Sequence, residues 1–233
     1  MTFREFWVNA VVSLFFRLTC DVGIEGAEKV PIEGPAILIS NHTTFFEGPL
    51  YYVKLRPRRT IALAKKELWN RAFTRSVMKA WRSIPVDRGG MDMTAIRRCF
   101  GVLDEGDFLC IAPEGTRSAT GALKRAMPGT TFFASRQGVP IYPMVQWGLR
   151  DLPRNLKRLR RTHVRIRIGD PFLVGKAGGG KLSADDRRGM ADEMMCRLAR
   201  LLPEEWRGAY ADESLWTSEY VRPYRAADSD GEA

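Results

Sequence analysis

Residues 36–47 read AILISNHTTFFE, an aliphatic run followed by a polar turn with a histidine and then by aromatic residues. The run at residues 36–40 predicts a strand buried on both faces, because it lacks the polar alternation of a half-exposed strand. His42 then lies just past the carboxyl end of that strand, where open α/β sheets bind their ligands. The stretch therefore predicts an α/β fold with a candidate site around His42.

Short apolar runs alternate with helical patterns along the rest of the chain, which is typical of an α/β layer fold. Further buried strands are predicted at residues 61–64, 108–112 and 139–145. Helices are predicted at residues 67–81, 91–104, 130–136 and 183–202. Residues 164–168 alternate aliphatic side chains with Arg165 and Arg167, which predicts a strand with one wet face toward a sheet edge. We predict a mixed, largely parallel sheet flanked by helices.

The length of 233 residues fits one domain of medium size with its own core. We predict an N-terminal helix over residues 1–20, a main domain over residues 21–207 and a tail over residues 208–233 that is partly disordered. Glycines at residues 175–180 predict a flexible loop inside the main domain.

The N-terminal segment carries an aromatic and aliphatic stripe at helical spacing. The stripe consists of Phe3, Phe6, Trp7, Ala10, Val11, Leu14, Phe15 and Leu18. A helix of about 16 residues spans about 24 Å, which is short of the ~30 Å hydrocarbon core of a bilayer. Arg17 interrupts the apolar region, which disfavours a secretory signal. Two interpretations stay open: an amphipathic helix lying at a membrane surface, or a helix packed on the domain core.

The chain is strongly basic, with 37 Lys and Arg against 27 Asp and Glu, and its partner should therefore be anionic. Two basic clusters stand out, at residues 54–59 and residues 150–161. They are either solvated faces or surfaces that attract anionic lipid at about 1 kcal/mol per basic residue. Recognition motifs for RNA or DNA are absent from the sequence, so we expect no nucleic-acid partner.

Four cysteines occur without a CxxC pair or a regular spacing, which predicts free thiols and neither a disulfide framework nor a metal site. Cys110 falls inside a predicted strand and is interpreted as a buried thiol rather than a nucleophile. His163, the other histidine, falls on the wet face of its strand and is interpreted as a surface residue.

His42 and Glu47 can form a catalytic pair only under one geometric condition. Five residues correspond to about 140° around a helix, so a continuous helix would separate the two side chains. They meet if His42 lies in the turn and Glu47 in the first turn of the following helix. The carboxylate would then orient the imidazole while its other nitrogen accepts a substrate proton. A structural histidine is the alternative on this spacing alone.

A second polar turn, residues 113–118 with the sequence PEGTRS, again follows an apolar strand. Gly115 permits close approach of the backbone, Thr116 can donate a hydrogen bond, and Arg117 can bind a phosphate through two of its N–H groups. The alternative is a capped turn in which Arg117 pairs with Glu114. Further basic residues that flank predicted strand ends are Lys65, Lys66 and Arg88.

Four blocks in this order, NHTTFFE, PVDRG, PEGTRS and GVPIYPM, resemble the motifs of the glycerolipid acyltransferase family, which includes the 1-acylglycerol-3-phosphate acyltransferases. The resemblance covers roughly residues 30 to 170. The family pattern has aspartate five residues after the histidine, where this chain has Glu47. A glutamate is one methylene longer and carries the same carboxylate.

The resemblance implies direct transfer of a fatty acyl group, from acyl-CoA or acyl carrier protein as co-substrate and with no further cofactor, to the hydroxyl of a lysophospholipid, giving phosphatidic acid. It implies that His42 is the base, with Glu47 as its orienting carboxylate. It also implies that Arg88 and residues 114–117 (Glu114, Gly115, Thr116 and Arg117) form the acceptor site, with Lys65 as a rim cation. Residues 139–143 would line or support the acyl site.

A peripheral location at the cytoplasmic face of an anionic membrane is the corresponding expectation for the whole protein. Two alternatives stay open. The acceptor could be another alcohol, such as a lyso-ornithine lipid or a glycolipid. A basic module that binds membrane or nucleic acid without chemistry is the other alternative.

Overall fold

The structure, a computed structural model, describes residues 2–87, 92–134 and 138–225. The described strands are β1 (Cys20–Glu25), β2 (Ala36–Ser40), β3 (Thr60–Lys65), β4 (Ile84–Val86), β5 (Phe108–Ile111), β6 (Ile141–Trp147), β7 (Thr162–Ile168), β8 (Phe172–Val174) and β9 (Val221–Pro223). The described helices are α1 (Phe3–Thr19), α2 (Glu47–Lys54), α3 (Ala72–Ala80), α4 (Met93–Asp104), α5 (Thr131–Ala134), α6 (Leu152–Lys157) and α7 (Ala184–Ala199).

The strands form one sheet in the order β1-β7-β6-β2-β5-β3-β4, with β8 paired to β6 and β9 paired to β8. Strands β2 to β6 run parallel to their neighbours in the centre of the sheet, whereas β7 runs antiparallel to β6. The predicted fold class, a mixed and largely parallel sheet flanked by helices, is confirmed. Because β2 and β5 are parallel neighbours, the turns that follow them meet at one edge of the sheet.

Helices cover both faces of the sheet, and the central strand β2 shows how the core divides. Its Ile37 and Ile39 contribute to a core that includes residues of α4 and α7. Its Ala36 and Leu38 contribute to the core on the opposite face, which includes residues of α1, α2 and α6. All four side chains are fully buried, as expected for a strand whose residues are apolar in both directions.

The predicted helix at residues 67–81 is divided in two. A 3-10 helix spans Lys66–Trp69, and α3 begins only at Ala72, because Arg71 is extended with φ −105° and ψ 134°. The Arg75 guanidinium donates to the carbonyl of Trp69 at 2.6 Å, so a side chain satisfies backbone that a continuous helix would have used. The described part of α5 ends at Ala134, and residues 135–136 of the helix predicted there lie outside the described residues. Residue 91, the first of the helix predicted at residues 91–104, also lies outside them.

The alternation predicted for β7 is observed, with Val164, Ile166 and Ile168 buried and the intervening residues more exposed. The outermost strand on this side is β1, which sequence reasoning missed and which pairs with β7 along its length. His163 on the wet face is exposed, and its Nδ1 lies 3.1 Å from Oδ2 of Asp21 on β1. Arg165 and Arg167 on the same face lie 3.3 and 2.7 Å from carboxylate oxygens of Asp21 and Glu25, so the basic residues of this face pair with acidic residues of β1.

The segment from residue 208 to residue 225 is folded onto the domain by 3-10 turns and by β9. The buried carboxylate of Glu193 on α7 accepts hydrogen bonds from the hydroxyl of Thr217 and the amides of Glu219, Tyr220 and Val221. Residues 226–233 of the predicted tail lie outside the described residues. The domain limits at residues 20 and 207 remain predictions.

Helix α1 turns its apolar stripe away from the domain. The exposed stripe residues are Phe3, Phe6, Trp7, Ala10, Val11, Leu14 and Leu18. Phe15, the remaining residue of the predicted stripe, packs against the core, and Phe16 on the inner face is fully buried in it. Polar contacts add to this packing: Tyr52 Oη donates to Oε1 of Glu5, and Trp81 Nε1 donates to Oδ1 of Asn9, both at 3.0 Å. Within the described ranges, no helix has both the length and the apolar character required to cross a bilayer.

Candidate active site

His42 and Glu47 meet in the way that the sequence required. His42 lies in the turn after β2, and Glu47 is the first residue of α2. Nδ1 of the imidazole lies 2.6 Å from Oε2 of the carboxylate. The His42 side chain is 24% exposed and the Glu47 side chain 5% exposed, so the pair is sheltered while the ring remains accessible.

The second oxygen of Glu47 is held by four donors. Oε1 accepts from the amides of Thr43 and Thr44 at 2.6 and 2.8 Å, and from the Thr43 hydroxyl at 2.7 Å. Nε2 of Gln146 donates to the same oxygen at 2.9 Å. Because Oε1 is fixed in this way, Oε2 is left to orient the imidazole of His42.

Gln146 and Asn41 were not identified from the sequence as members of this site. Asn41 pairs with the backbone of Gln146 through two hydrogen bonds of 2.9 Å and so ties the turn after β2 to β6. The available signal was a glutamine in the otherwise apolar run IYPMVQW, because a polar side chain in a buried strand needs a partner.

Hydrogen bonds join the PEGTRS turn, residues 113–118, to the turn that carries His42. The buried Glu114 carboxylate accepts from the amide of His42 at 2.8 Å and from the amide of Lys124 at 2.9 Å. Burial raises the pKa of Glu114 above its usual range, with these two hydrogen bonds opposing the effect. The amide of Ser118 in turn donates to the carbonyl of His42 at 2.7 Å. These contacts place the two predicted turns side by side.

Gly115 has a conformation that only glycine adopts without strain, with φ +67°. A Cβ at this position would come within 2.1 Å of the Met127 sulfur. The glycine thus allows the turn to lie against Met127 while it brings the exposed Arg117 beside the histidine turn.

A cavity of about 480 Å³ joins the two turns. His42, Gly115, Arg117 and Lys65 contribute to its lining. Away from these polar residues its lining is mainly apolar and aromatic, including Ala62, Leu63, Leu68, Met78, Trp81, Val86, Ile111 and Phe133. A basic and polar end next to an apolar interior suits an amphiphilic ligand with an anionic head.

The other predicted site residues occupy different surroundings. Glu114 and Thr116 are not part of the cavity lining, and the carboxylate of Glu114 contacts backbone amides rather than Arg117. Lys65 is half exposed and lies 3.1 Å from a carboxylate oxygen of Glu67. Residues 139–143 are not part of the cavity lining, and residues 141–143 belong to β6, which pairs with β2. Arg88 lies outside the described residues.

Cys110 lies on β5 beneath this site and also lines the cavity. Burial, together with the nearby Glu47 carboxylate, raises the pKa of the Cys110 thiol to about 12. All four cysteines are free. Among the residues that the structure describes, no group of three or more His, Cys, Asp or Glu side chains is arranged to hold a metal ion.

The acyltransferase family model matches residues 21–147, more than half of the chain and including both turns of the site. The chain belongs to the acyltransferase family. This acyltransferase is similar to the 1-acyl-sn-glycerol-3-phosphate acyltransferase of Bacillus subtilis (strain 168), with 26% identity over 170 residues, 72% of this chain and 81% of the relative. It is similar to the protein of the same name from Streptococcus pneumoniae, with 24% identity over 92% of this chain and 79% of the relative.

A solved structure shares the fold of this acyltransferase. It is the crystal structure of the 1-acyl-sn-glycerophosphate (LPA) acyltransferase, PlsC, from Thermotoga maritima. The TM-score is 0.62 at 21% sequence identity, and the match covers 91% of this chain and 81% of the other.

Proposed function

We propose that this acyltransferase moves a fatty acyl group from acyl-CoA or acyl carrier protein to the free hydroxyl of a lysophospholipid, 1-acyl-sn-glycerol 3-phosphate, and so forms phosphatidic acid. The His42–Glu47 pair at the edge of an apolar cavity, beside Arg117, is the observation that carries the proposal. The names of the relatives with 24–26% identity support the choice of acceptor.

In the proposed reaction, Nε2 of His42 accepts the proton of the acceptor hydroxyl while its oxygen attacks the thioester carbonyl carbon. Glu47 accepts a hydrogen bond from Nδ1–H, which holds the ring in the tautomer with a free Nε2 and stabilises the imidazolium. The tetrahedral intermediate collapses with cleavage of the carbon–sulfur bond. The imidazolium then returns its proton to the departing thiolate, which restores the neutral histidine.

The acceptor phosphate would bind at the basic end of the cavity. Arg117 can offer two parallel N–H donors, and the turn at Gly115 exposes backbone close to them. Lys65 adds a second cation on the neighbouring strand β3. Arg88, Glu114 and Thr116 stay predicted members of this acceptor site. The apolar part of the cavity would hold acyl chain.

Helix α1 supports a peripheral position on a membrane. Its exposed stripe includes Phe3, Phe6 and Trp7, and aromatic residues favour the interface between headgroups and acyl chains. A lysophospholipid acceptor resides in the same surface layer. We propose that α1 lies in this layer at the cytoplasmic face.

The decisive experiment offers the purified, detergent-solubilised chain a panel of acceptors with either acyl-CoA or acyl carrier protein. The panel contains 1-acyl-sn-glycerol 3-phosphate, a lyso-ornithine lipid and a lysoglycolipid. We expect labelled acyl product with the phosphate-bearing acceptor, because Arg117 and Lys65 both favour an anionic head. Preferred acylation of an uncharged acceptor would contradict the proposed substrate.

His42→Ala separates chemistry from binding. This variant should lose more than about 99% of the transfer rate, since removal of a general base costs about 10²–10⁴-fold. The variant should still fold and should bind vesicles like the parent, because the His42 side chain is partly exposed and lies outside α1. Turnover at more than a few per cent of the parent rate would remove His42 from the mechanism.

A further inference from the structure

The end of α6 and its connection to β7 form an exposed basic segment with one leucine at its centre. Residues 157–161 read KRLRR, and we name this segment the basic tip. All five residues are exposed, and Leu159 is 98% exposed. A fully exposed leucine flanked on both sides by cations has no packing role in the folded chain.

Leu159 also has an unfavourable backbone conformation. Its φ of +52° lies in the left-handed region, at the position after a helix end that glycine or asparagine usually occupies. The amides of Leu159 and Arg160 donate to the carbonyls of Leu156 and Asn155 at 3.1 and 2.9 Å, so the turn is well formed. Glycine would adopt this conformation without strain, so folding stability does not explain a leucine at position 159. A functional role is the alternative explanation.

The charges of the basic tip differ from those of the other basic cluster. In residues 54–59, Arg58 is buried against backbone carbonyls and Arg59 lies 3.5 Å from Asp107. Within the described residues, no acidic side chain forms an ion pair with Lys157, Arg158 or Arg160. The tip thus presents uncompensated positive charge around an apolar side chain.

The basic tip is continuous with the exposed stripe of α1. The Arg161 guanidinium donates to the carbonyl of Arg17 in the last turn of α1 and to the carbonyl of Cys20, which directly follows the helix. Leu18, which is 65% exposed, is therefore close to the basic tip on the protein surface. Because β7 runs antiparallel to β6 and β2, the start of β7 lies at the sheet edge that carries His42.

From this arrangement we propose that the basic tip docks on a bilayer that contains anionic lipid. Leu159 enters the headgroup layer, and Lys157, Arg158 and Arg160 bind lipid phosphates. An anionic bilayer fits better than a soluble acidic protein, because the tip extends an apolar stripe that is itself exposed along α1. Two contact points, α1 and the tip, would fix the rotation of the domain and direct the His42 edge of the sheet toward the membrane.

The test measures flotation of the full chain with vesicles of phosphatidylcholine alone or with 30 mole per cent phosphatidylglycerol. Three variants are compared with the parent: Leu159→Gly, the pair Arg158→Gln with Arg160→Gln, and the control pair Arg97→Gln with Arg98→Gln. The control removes the same charge from exposed positions on α4, which packs on the other face of the sheet.

On anionic vesicles we expect the Arg158/Arg160 pair to weaken binding about 25-fold, at about fivefold for each removed charge. The Arg97/Arg98 control should change binding less than threefold. Leu159→Gly should weaken binding severalfold while raising the unfolding temperature, because glycine relieves the left-handed strain. A purely structural loop cannot produce this opposite pair of effects. On phosphatidylcholine alone the charge variants should bind like the parent.

Equal losses of vesicle binding in the Arg158/Arg160 and Arg97/Arg98 pairs would show that only the net charge of the chain matters, and would overturn the proposal. Unchanged vesicle binding combined with a raised KM for an acyl carrier protein donor would assign the tip to a soluble acidic partner and would also overturn it. Membrane docking through the basic tip does not depend on the proposed acyl transfer, and the flotation assay requires no turnover. His42→Ala should float like the parent, so failure of the proposed chemistry and failure of membrane docking are separate results.

Discussion

Nδ1 of His42 lies 2.6 Å from Oε2 of Glu47, although the two residues are five positions apart. The approach is possible because α2 begins at Glu47, so the intervening residues form a turn rather than helix. The amides of Thr43 and Thr44 point back to the other carboxylate oxygen. The same carboxylate therefore shapes the turn and binds the imidazole ring.

Replacement of Glu47 should separate charge from length. Glu47→Gln removes the charge and can turn an amide N–H toward Nδ1, which favours the wrong imidazole tautomer. We expect the rate of acyl transfer to fall at least about 100-fold. Glu47→Asp should stay within about tenfold of the parent, since the carboxylate remains and the turn can shift by a methylene. Steady-state kinetics of both variants provide the measurement, and equal losses would exclude an orienting role for Glu47.

Arg117→Ala should act on the acceptor rather than on the chemical step. The side chain is exposed and lines the cavity beside His42, so its loss leaves the fold intact and removes a donor pair for the phosphate. We expect the KM for the lysophospholipid to rise about tenfold or more, with a smaller change in kcat. Arg125→Ala, an exposed residue outside the cavity lining, is the matched control. An unchanged KM in the Arg117 variant would contradict the assignment.

Gly115→Ala should destabilise the chain by about 1–3 kcal/mol, because the residue has a positive φ and the new methyl would meet the Met127 sulfur at 2.1 Å. The rate of acyl transfer should also fall under conditions in which the variant is still folded, since the turn positions Arg117. The control is Gly101→Ala in α4, where a Cβ would meet no atom within 4 Å. This substitution should stabilise the folded chain by about 0.5–1 kcal/mol. Denaturant unfolding measures both, and a neutral Gly115 variant would contradict the conformational argument.

The thiol of Cys110 should resist alkylation in the folded chain. Because burial raises its pKa to about 12, only roughly one molecule in ten thousand carries the thiolate at pH 8. The labelling rate of the folded chain should rise about tenfold for each pH unit up to pH 11. The labelling rate of an unfolded thiol should instead level off above about pH 8.5, near the ordinary pKa of cysteine. Mass spectrometry after iodoacetamide treatment, with and without urea, gives the comparison.

Acyl transfer should survive this treatment at pH 8, since no acyl-enzyme on Cys110 takes part in the proposed reaction. Rapid labelling of Cys110 with matching loss of activity would instead point to a thiol nucleophile.

The local chemistry of the sheet centre could be predicted from the sequence. The aliphatic run before His42 is fully buried in β2, because a strand in the middle of a parallel sheet needs apolar side chains on both faces. The order of the four motifs indicated the family, and the family model matches the part of the chain that contains the two turns. Strong periodicity and short glycine-containing turns are local signals, so no tertiary information was required for them.

Edge strands and polar partners distant in sequence could not be predicted in this way. β1 carries little periodicity of its own and forms because β7 offers unpaired backbone groups beside it. Gln146 is 99 residues away from Glu47, and only the parallel alignment of β2 with β6 brings its amide to the carboxylate. The α1 stripe was evident from sequence spacing, but its outward direction depends on tertiary contacts of the inner face. There Phe16 is buried in the core, and Glu5 and Asn9 bind Tyr52 and Trp81.

The sequence by itself determined an α/β layer fold, a histidine turn and a glycine–threonine–arginine turn at strand ends, and an apolar stripe on the first helix. These follow from local patterning, because side-chain period and turn chemistry act over a few residues. Only the tertiary structure decided that Oε2 of Glu47 faces His42, that the Glu114 carboxylate binds the histidine turn, and that the basic tip adjoins α1. Those relationships depend on strand order and direction, which bring together residues that are far apart along the chain.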